Sequence, residues 1–126
     1  MNLLYGIILG MIIMYIIMIN KKNNCNTLKK FAAKKLIRQS ARWATAAKQD
    51  ENSMIAVLHA NYGAGYLWAL KEIMKTDTIE NFTGVDILKF ETEIINIQDM
   101  ATKKMAKLCP KYAPEPSYLS KIAGEG

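Results

Sequence analysis

Acidic residues are absent from the first 49 positions. Asp50 is the first of eleven, in a chain of 126 residues with one histidine, two cysteines and two arginines. Each scarcity removes a class of function. A zinc centre takes three or four Cys, His or carboxylate ligands at close spacing; His59, with Cys25 and Cys109 lying 84 positions apart, does not supply one. Arg38 and Arg42 stand against fifteen lysines, so the forked guanidinium groups that read phosphates and base edges are few, and no nucleic-acid partner is expected. There is no Gly-x-Ser-x-Gly elbow. Gly63-Ala64-Gly65 follows no strand and lacks the Gly-Lys-Ser/Thr of a phosphate loop. Glu91 and Glu93, two apart, point away from each other on a helix. No catalytic, cofactor-binding or metal-ligating residue emerges, and the chain is not expected to be an enzyme. Alternating strand patterns of useful length are missing as well, which points to an all-α protein.

What is present is a run of seventeen apolar residues, Leu3 to Ile19, followed at once by Lys21 and Lys22. As a helix it spans roughly 25 Å, and Met1, Asn2 and Asn20 bring it near 30 Å, the thickness of a hydrocarbon core. Ten of the seventeen are Ile or Leu, each favouring insertion by roughly 0.3–0.6 kcal/mol. A cleaved signal peptide would want a basic segment before the run and small residues after it; no basic side chain precedes the run, and Asn20-Lys21-Lys22-Asn23 offers no small pair. The expectation is a retained single span. Flanking lysines stay cytosolic, so the N-terminus crosses the membrane and the remainder is cytosolic. Gly6 and Gly10 form a small-xxx-small pair able to bring two spans together, though glycine is common in spans anyway. Tyr5 and Tyr15 read as an interface anchor and a packing residue.

Charge divides the rest. Residues 21–48 carry nine Lys or Arg and no acid, whereas residues 49–126 carry eight against eleven acids. The positive excess lies beside the span, the pattern of a segment leaning on anionic headgroups at about 1 kcal/mol per basic residue near the surface. Lys21, Lys22, Lys30, Lys34, Arg38 and Arg42 are the candidate lipid-facing residues; a plain solvated face is the simpler alternative. The abundance of Lys, Ile and Asn is also what an AT-rich genome produces. Both cysteines are expected to be reduced thiols, with Cys25 close enough to the membrane for reversible palmitoylation.

The expected architecture is a single N-terminal transmembrane helix (1–20), a basic hinge (21–26), a three-helix bundle (27–108) and an extended, proline-containing tail (109–126). The first bundle helix, capped by Asn26 or Thr27, places Leu28, Ala32, Ala33, Leu36, Ile37, Trp43, Ala44 and Ala47 on its apolar half. The second, about 51–75, is apolar nearly all round, so it is either central or buried in a partner interface. Leu58 and Leu67 are expected core, Ala56, Ala60 and Ala64 admit a close neighbour, and Gly63 and Gly65 imply a packing reason for their helical cost. His59 is expected to be a satisfied core histidine. A short turn, Ile79 to Phe82, leads to a capping box, Thr83 with Asp86. The last helix buries Ile87, Phe90, Ile94, Ile97, Ala101, Met105 and Leu108, and Pro110 stops it. In the tail, Tyr112, Tyr118, Leu119 and Ile122 are apolar enough to strap over the bundle or to dock another protein.

The stretches IAVLHANYGAGYLWALKEI and APEPSYLSKIAGEG resemble segments of uncharacterised short single-pass membrane proteins of nucleocytoplasmic large DNA viruses. The resemblance covers roughly residues 40–126, implies a protein of a virion or assembly membrane, and assigns no functional residue. The function expected is that of a membrane-anchored structural or scaffolding protein docking a protein partner, or a further copy of itself, through its helical domain. The alternatives are a peripheral module for anionic lipid and a non-catalytic anchor subunit of an enzyme complex.

Overall fold

Seventeen apolar residues and a lysine-rich stretch with no proline before position 110 give the backbone no reason to stop turning. In the computed structural model, which describes residues 2–112, helix α1 (Asn2–Gln49) is continuous over 48 residues. The basic hinge expected at 21–26 is helical. Its three asparagines weaken helix there by only about 0.7 kcal/mol or less each, too little to break a helix propagating from both sides. Thr27 caps nothing: its hydroxyl donates back to the Asn23 carbonyl at 3.0 Å, one turn earlier. Residues 20–31 are exposed throughout, and Ala33 is the first buried residue. The helix therefore runs about 21 Å from Ile19 before it meets the rest of the molecule.

A three-residue loop reverses the chain into α2 (Ser53–Ile73). Asn52 caps it, its side-chain oxygen accepting from the Met54 and Ile55 amides at 2.9 and 3.2 Å. After a break at Met74–Lys75, the expected short turn is a full helix, α3 (Thr76–Thr83). Gly84, at φ 72°, closes it in the left-handed conformation a side chain resists, its amide donating to the Glu80 carbonyl at 2.8 Å. The expected capping box is replaced. Asp86 itself caps α4 (Ile87–Leu108), accepting from the Lys89 amide at 2.9 Å. Thr83 ends α3 and donates to the Ile79 carbonyl at 2.7 Å. Glu80 accepts from the Ile87 amide at 3.0 Å, tying α3 to the start of α4. Pro110–Tyr112 forms one 3₁₀ turn rather than extended chain. The expectations for the remaining tail lie outside the described residues.

Buried positions recur at alternating steps of three and four in all three long helices: Ala33, Ile37, Ser40, Ala44 and Ala47 on α1; Ser53, Ala56, Ala60, Gly63, Leu67 and Leu70 on α2; Ile87, Ile94 and Ala101 on α4, with Phe90 and Ile97 half-buried between them. That spacing keeps one seam facing its neighbour along the whole contact. The helices run up, down and up. Lys71 meets Glu91 at 2.6 Å near one end of the α2–α4 pair, and Gln98 meets Asn61 at 2.7 Å near its middle. Towards the stalk the core is built of Leu67, Leu70, Ile79, Ile87 and Ile94; at the far end it narrows to Ala47, Ala56, Ala60 and Ala101. The α1–α2 crossing is tightest at Gly63. A side chain there would lie 3.0 Å from the Ala44 amide nitrogen and 3.1 Å from the Ser40 carbonyl oxygen. The Ser40 hydroxyl, itself buried, donates to the Gly63 carbonyl at 2.6 Å.

Three expected core residues are exposed. Leu28 precedes the first contact of α1 with the bundle, Leu108 extends past the last one, and Leu58, at 42 % exposure, lies on the outer side of α2. The chain is all-α, and α1 is the one helix among the described residues long and apolar enough to cross a membrane, with a mean hydropathy of 2.3 over its most apolar window.

Candidate functional site

Helix α2 is apolar nearly all round because it has two faces to satisfy. Its inner seam is filled by α1 and α4. Its outer stripe, Ile55, Leu58, Tyr62, Gly65 and Ala69, repeats the same three–four spacing about half a turn away and faces solvent. Ile55 is 39 %, Leu58 42 % and Tyr62 47 % exposed, with Trp68 beside them at 38 %. From Ser53 to Leu70 there is no Asp, Glu, Lys or Arg. A soluble helix normally turns charge outwards; this face turns none.

Aromatic side chains shape that face. Trp43 reaches across from α1 and packs against His59 at 4.8 Å between ring centres with planes tilted by 43°, and Tyr62 meets its edge at 5.4 Å with planes inclined by 74°. His59 is half-buried rather than core, and its Nδ1 lies 2.7 Å from an Asp50 carboxylate oxygen just past the end of α1. The hydrogen bond to Asp50 fixes the imidazole, the imidazole backs Trp43, and Trp43 walls one side of a depression. Asn61, held by Gln98 of α4, stands on the other side. Between them Gly65 forms the floor: nothing lies within 4 Å of where its side chain would begin. The depression measures about 370 Å³ and is lined by Trp43, Asn61, Tyr62, Gly65, Tyr66 and Ala69. The two glycines, alike in sequence, thus do opposite things. Gly63 closes a contact within the chain, and Gly65 leaves one open.

The six basic candidates are strung along α1. All are exposed. Lys21 and Lys22 directly follow the apolar segment. Lys30 and Lys34 lie about 16 and 22 Å beyond Ile19, and Arg38 and Arg42 about 28 and 34 Å. Headgroups occupy only about 5–7 Å on each side of the hydrocarbon, and screening takes over within about 8–10 Å. On an upright helix, only Lys21 and Lys22 meet the headgroups of the membrane their own span would cross. Arg42 instead lies 6.0 Å from the Trp43 ring centre, and Lys35 6.0 Å from that of Phe31. Gly6 and Gly10 have open space around them on the apolar half of α1. Cys25 is an exposed free thiol and Cys109 a half-buried one. Among the described residues, no three His, Cys, Asp or Glu side chains come together as metal ligands.

Sequence reasoning read α2 as either central or buried in a partner interface but did not separate its two faces. The signal that could have done so is the pair of interleaved three–four spacings, one through Ala56, Ala60 and Gly63 and the other through Leu58, Tyr62 and Gly65. Comparison with protein-family models, curated proteins and solved structures finds no match to this chain.

Proposed function

We propose that the protein is a single-pass membrane anchor that holds a non-catalytic helical docking domain at a fixed distance from the bilayer, as a structural or scaffolding component. The carrying observation is the uncharged, apolar outer face of α2, exposed in a domain whose other long helices turn lysine and glutamate outwards. Anchoring rests on the apolar segment of α1. The lysines that follow it favour a cytosolic domain, with Lys21 and Lys22 among the headgroups and the more distant basic residues on the solvated flank of the stalk. The resemblance to short membrane proteins of large DNA viruses suits a virion or assembly membrane.

The test is accessibility. In the full-length protein, with Cys25→Ser and Cys109→Ser, a single cysteine is introduced by Tyr62→Cys, or by Asn96→Cys on the exposed side of α4 as control. In native membranes, a membrane-impermeant maleimide is expected to label position 62 at least about tenfold more slowly than position 96. Equal rates would mean that the face is bare, and the docking reading would fall.

A further inference from the structure

We infer that the outer face of α2 pairs with the same face of a second copy of this chain, parallel and in register, about a two-fold axis along the membrane normal. This rests on the docking reading above and names its partner.

Two copies anchored in one membrane by the same segment point the same way, so their α2 helices are parallel. A two-fold contact is made by one patch meeting itself, which for parallel helices requires apolar residues at alternating three and four steps. Ile55, Leu58, Tyr62, Gly65 and Ala69 have that spacing. In such a pair, the residue at position 62 enters a hole lined by residues 58, 61, 62 and 65 of the facing helix. Asn61, Tyr62 and Gly65 line the depression already present, and the bare floor at Gly65 leaves room for the copy's tyrosine ring. The hole exists before the knob arrives.

Charge agrees. In an in-register pair each seam residue meets its own image, so a charge on the seam itself would be repelled, and the seam carries none. The flanking positions of this seam are His59, Asn61, Tyr66 and Trp68. None is a carboxylate, lysine or arginine, and rings dominate, as at the centres of protein interfaces. Along the seam itself a charged partner would find no complement; Arg42 beside Trp43 and Lys71 beside Trp68 lie at its edges.

Area sets the strength. The exposed parts of Ile55, Leu58, Tyr62 and Trp68 come to about 400 Å² per copy, so the pair buries about 800 Å², below the roughly 1,200 Å² of stable soluble interfaces. The contact suits molecules already confined and aligned by a membrane, where effective concentration supplies what area does not.

The experiment uses full-length protein with Cys25→Ser and Cys109→Ser, reconstituted in phosphatidylcholine vesicles and oxidised with copper–phenanthroline. Leu58→Cys, Tyr62→Cys and Gly65→Cys are each expected to give disulfide-linked dimers, and Asn96→Cys is not. Gly65→Leu fills the hole from a position where the first side-chain atom has nothing within 4 Å. It should therefore leave the thermal midpoint in detergent unchanged or higher while lowering the crosslinking yield at position 62 about tenfold. Dimers at position 96 as abundant as at 62, or undiminished crosslinking with Gly65→Leu, would overturn the inference. Slow maleimide labelling at position 62 in native membranes with no disulfide would also overturn it, and would leave the docking reading standing with a different partner. Fast labelling with no disulfide would end both.

Discussion

Leu58 and Leu67 lie nine residues apart on one helix, with identical side chains and opposite fates. Leu67 is fully buried between α1 and α4, whereas Leu58 is 42 % exposed. Leu67→Ala is therefore expected to cost about 2–5 kcal/mol and Leu58→Ala under about 1 kcal/mol, read as shifts of the thermal unfolding midpoint of the protein in mild detergent. The glycines form a second contrast. At Gly63 an added methyl meets backbone atoms of α1 at 3.0–3.1 Å. Separating the helices costs about 1–3 kcal/mol, more than the roughly 1 kcal/mol of helix propensity regained. At Gly65 the methyl meets nothing, and only the gain remains. Gly63→Ala should lower the unfolding midpoint, and Gly65→Ala should raise it. Exchanged signs would reverse the assignment of the two faces, and shifts in the same direction would void it.

At the scale of elements, the caps are local and measurable. Asn52 satisfies two amides at the start of α2, so Asn52→Ala should cost about 0.5–2 kcal/mol, whereas Asn52→Asp should cost far less. Helix α1 is the element sequence reasoning divided wrongly. Its apolar and bundle-facing halves could be read from composition and from the spacing of Ala33, Ile37, Ala44 and Ala47. The join could not, because Asn20, Asn23, Asn24 and Asn26 are individually poor helix formers and Thr27 has the look of a cap. Continuity is a cooperative property: a weak segment between two strong ones extends more cheaply than it stops and restarts. Spin labels at Cys25 and, through Arg42→Cys with Cys109→Ser, at position 42 should report a narrow distance distribution near 25 Å. A broad distribution would restore the hinge. The start of α4 misled for a related reason. Thr83 and Asp86 have the right spacing for a capping box, but Gly84 ends one helix between them and Asp86 begins the next. Helix α2 was the hardest to read, since a residue apolar enough for either face carries no mark of which face it occupies. Only the small residues differ in meaning, and their meaning depends on Ser40 and Ala44, some twenty positions away.

At the scale of the whole molecule, the proposed anchoring predicts a topology. Protease added to sealed vesicles with the cytosolic face outward should remove the helical domain, because Lys21, Lys22, Lys29, Lys30, Lys34 and Lys35 all follow the apolar segment; full protection would reverse the orientation. The unbroken α1 has a further consequence, which concerns angle rather than height. A stalk without a swivel fixes the compass bearing of the domain to that of the span. Each residue in the exposed stretch 20–31 contributes about 100° of bearing and 1.5 Å of height. Deleting one residue there would turn the domain through more than a quarter of a circle while lowering it by less than the width of an atom. Deleting seven would lower it by about 10 Å and return the bearing to within about 20°. Bearing and height can thus be varied almost independently. Any process that requires the span and the domain to face particular neighbours at once should follow the phase of the deletion and not its length.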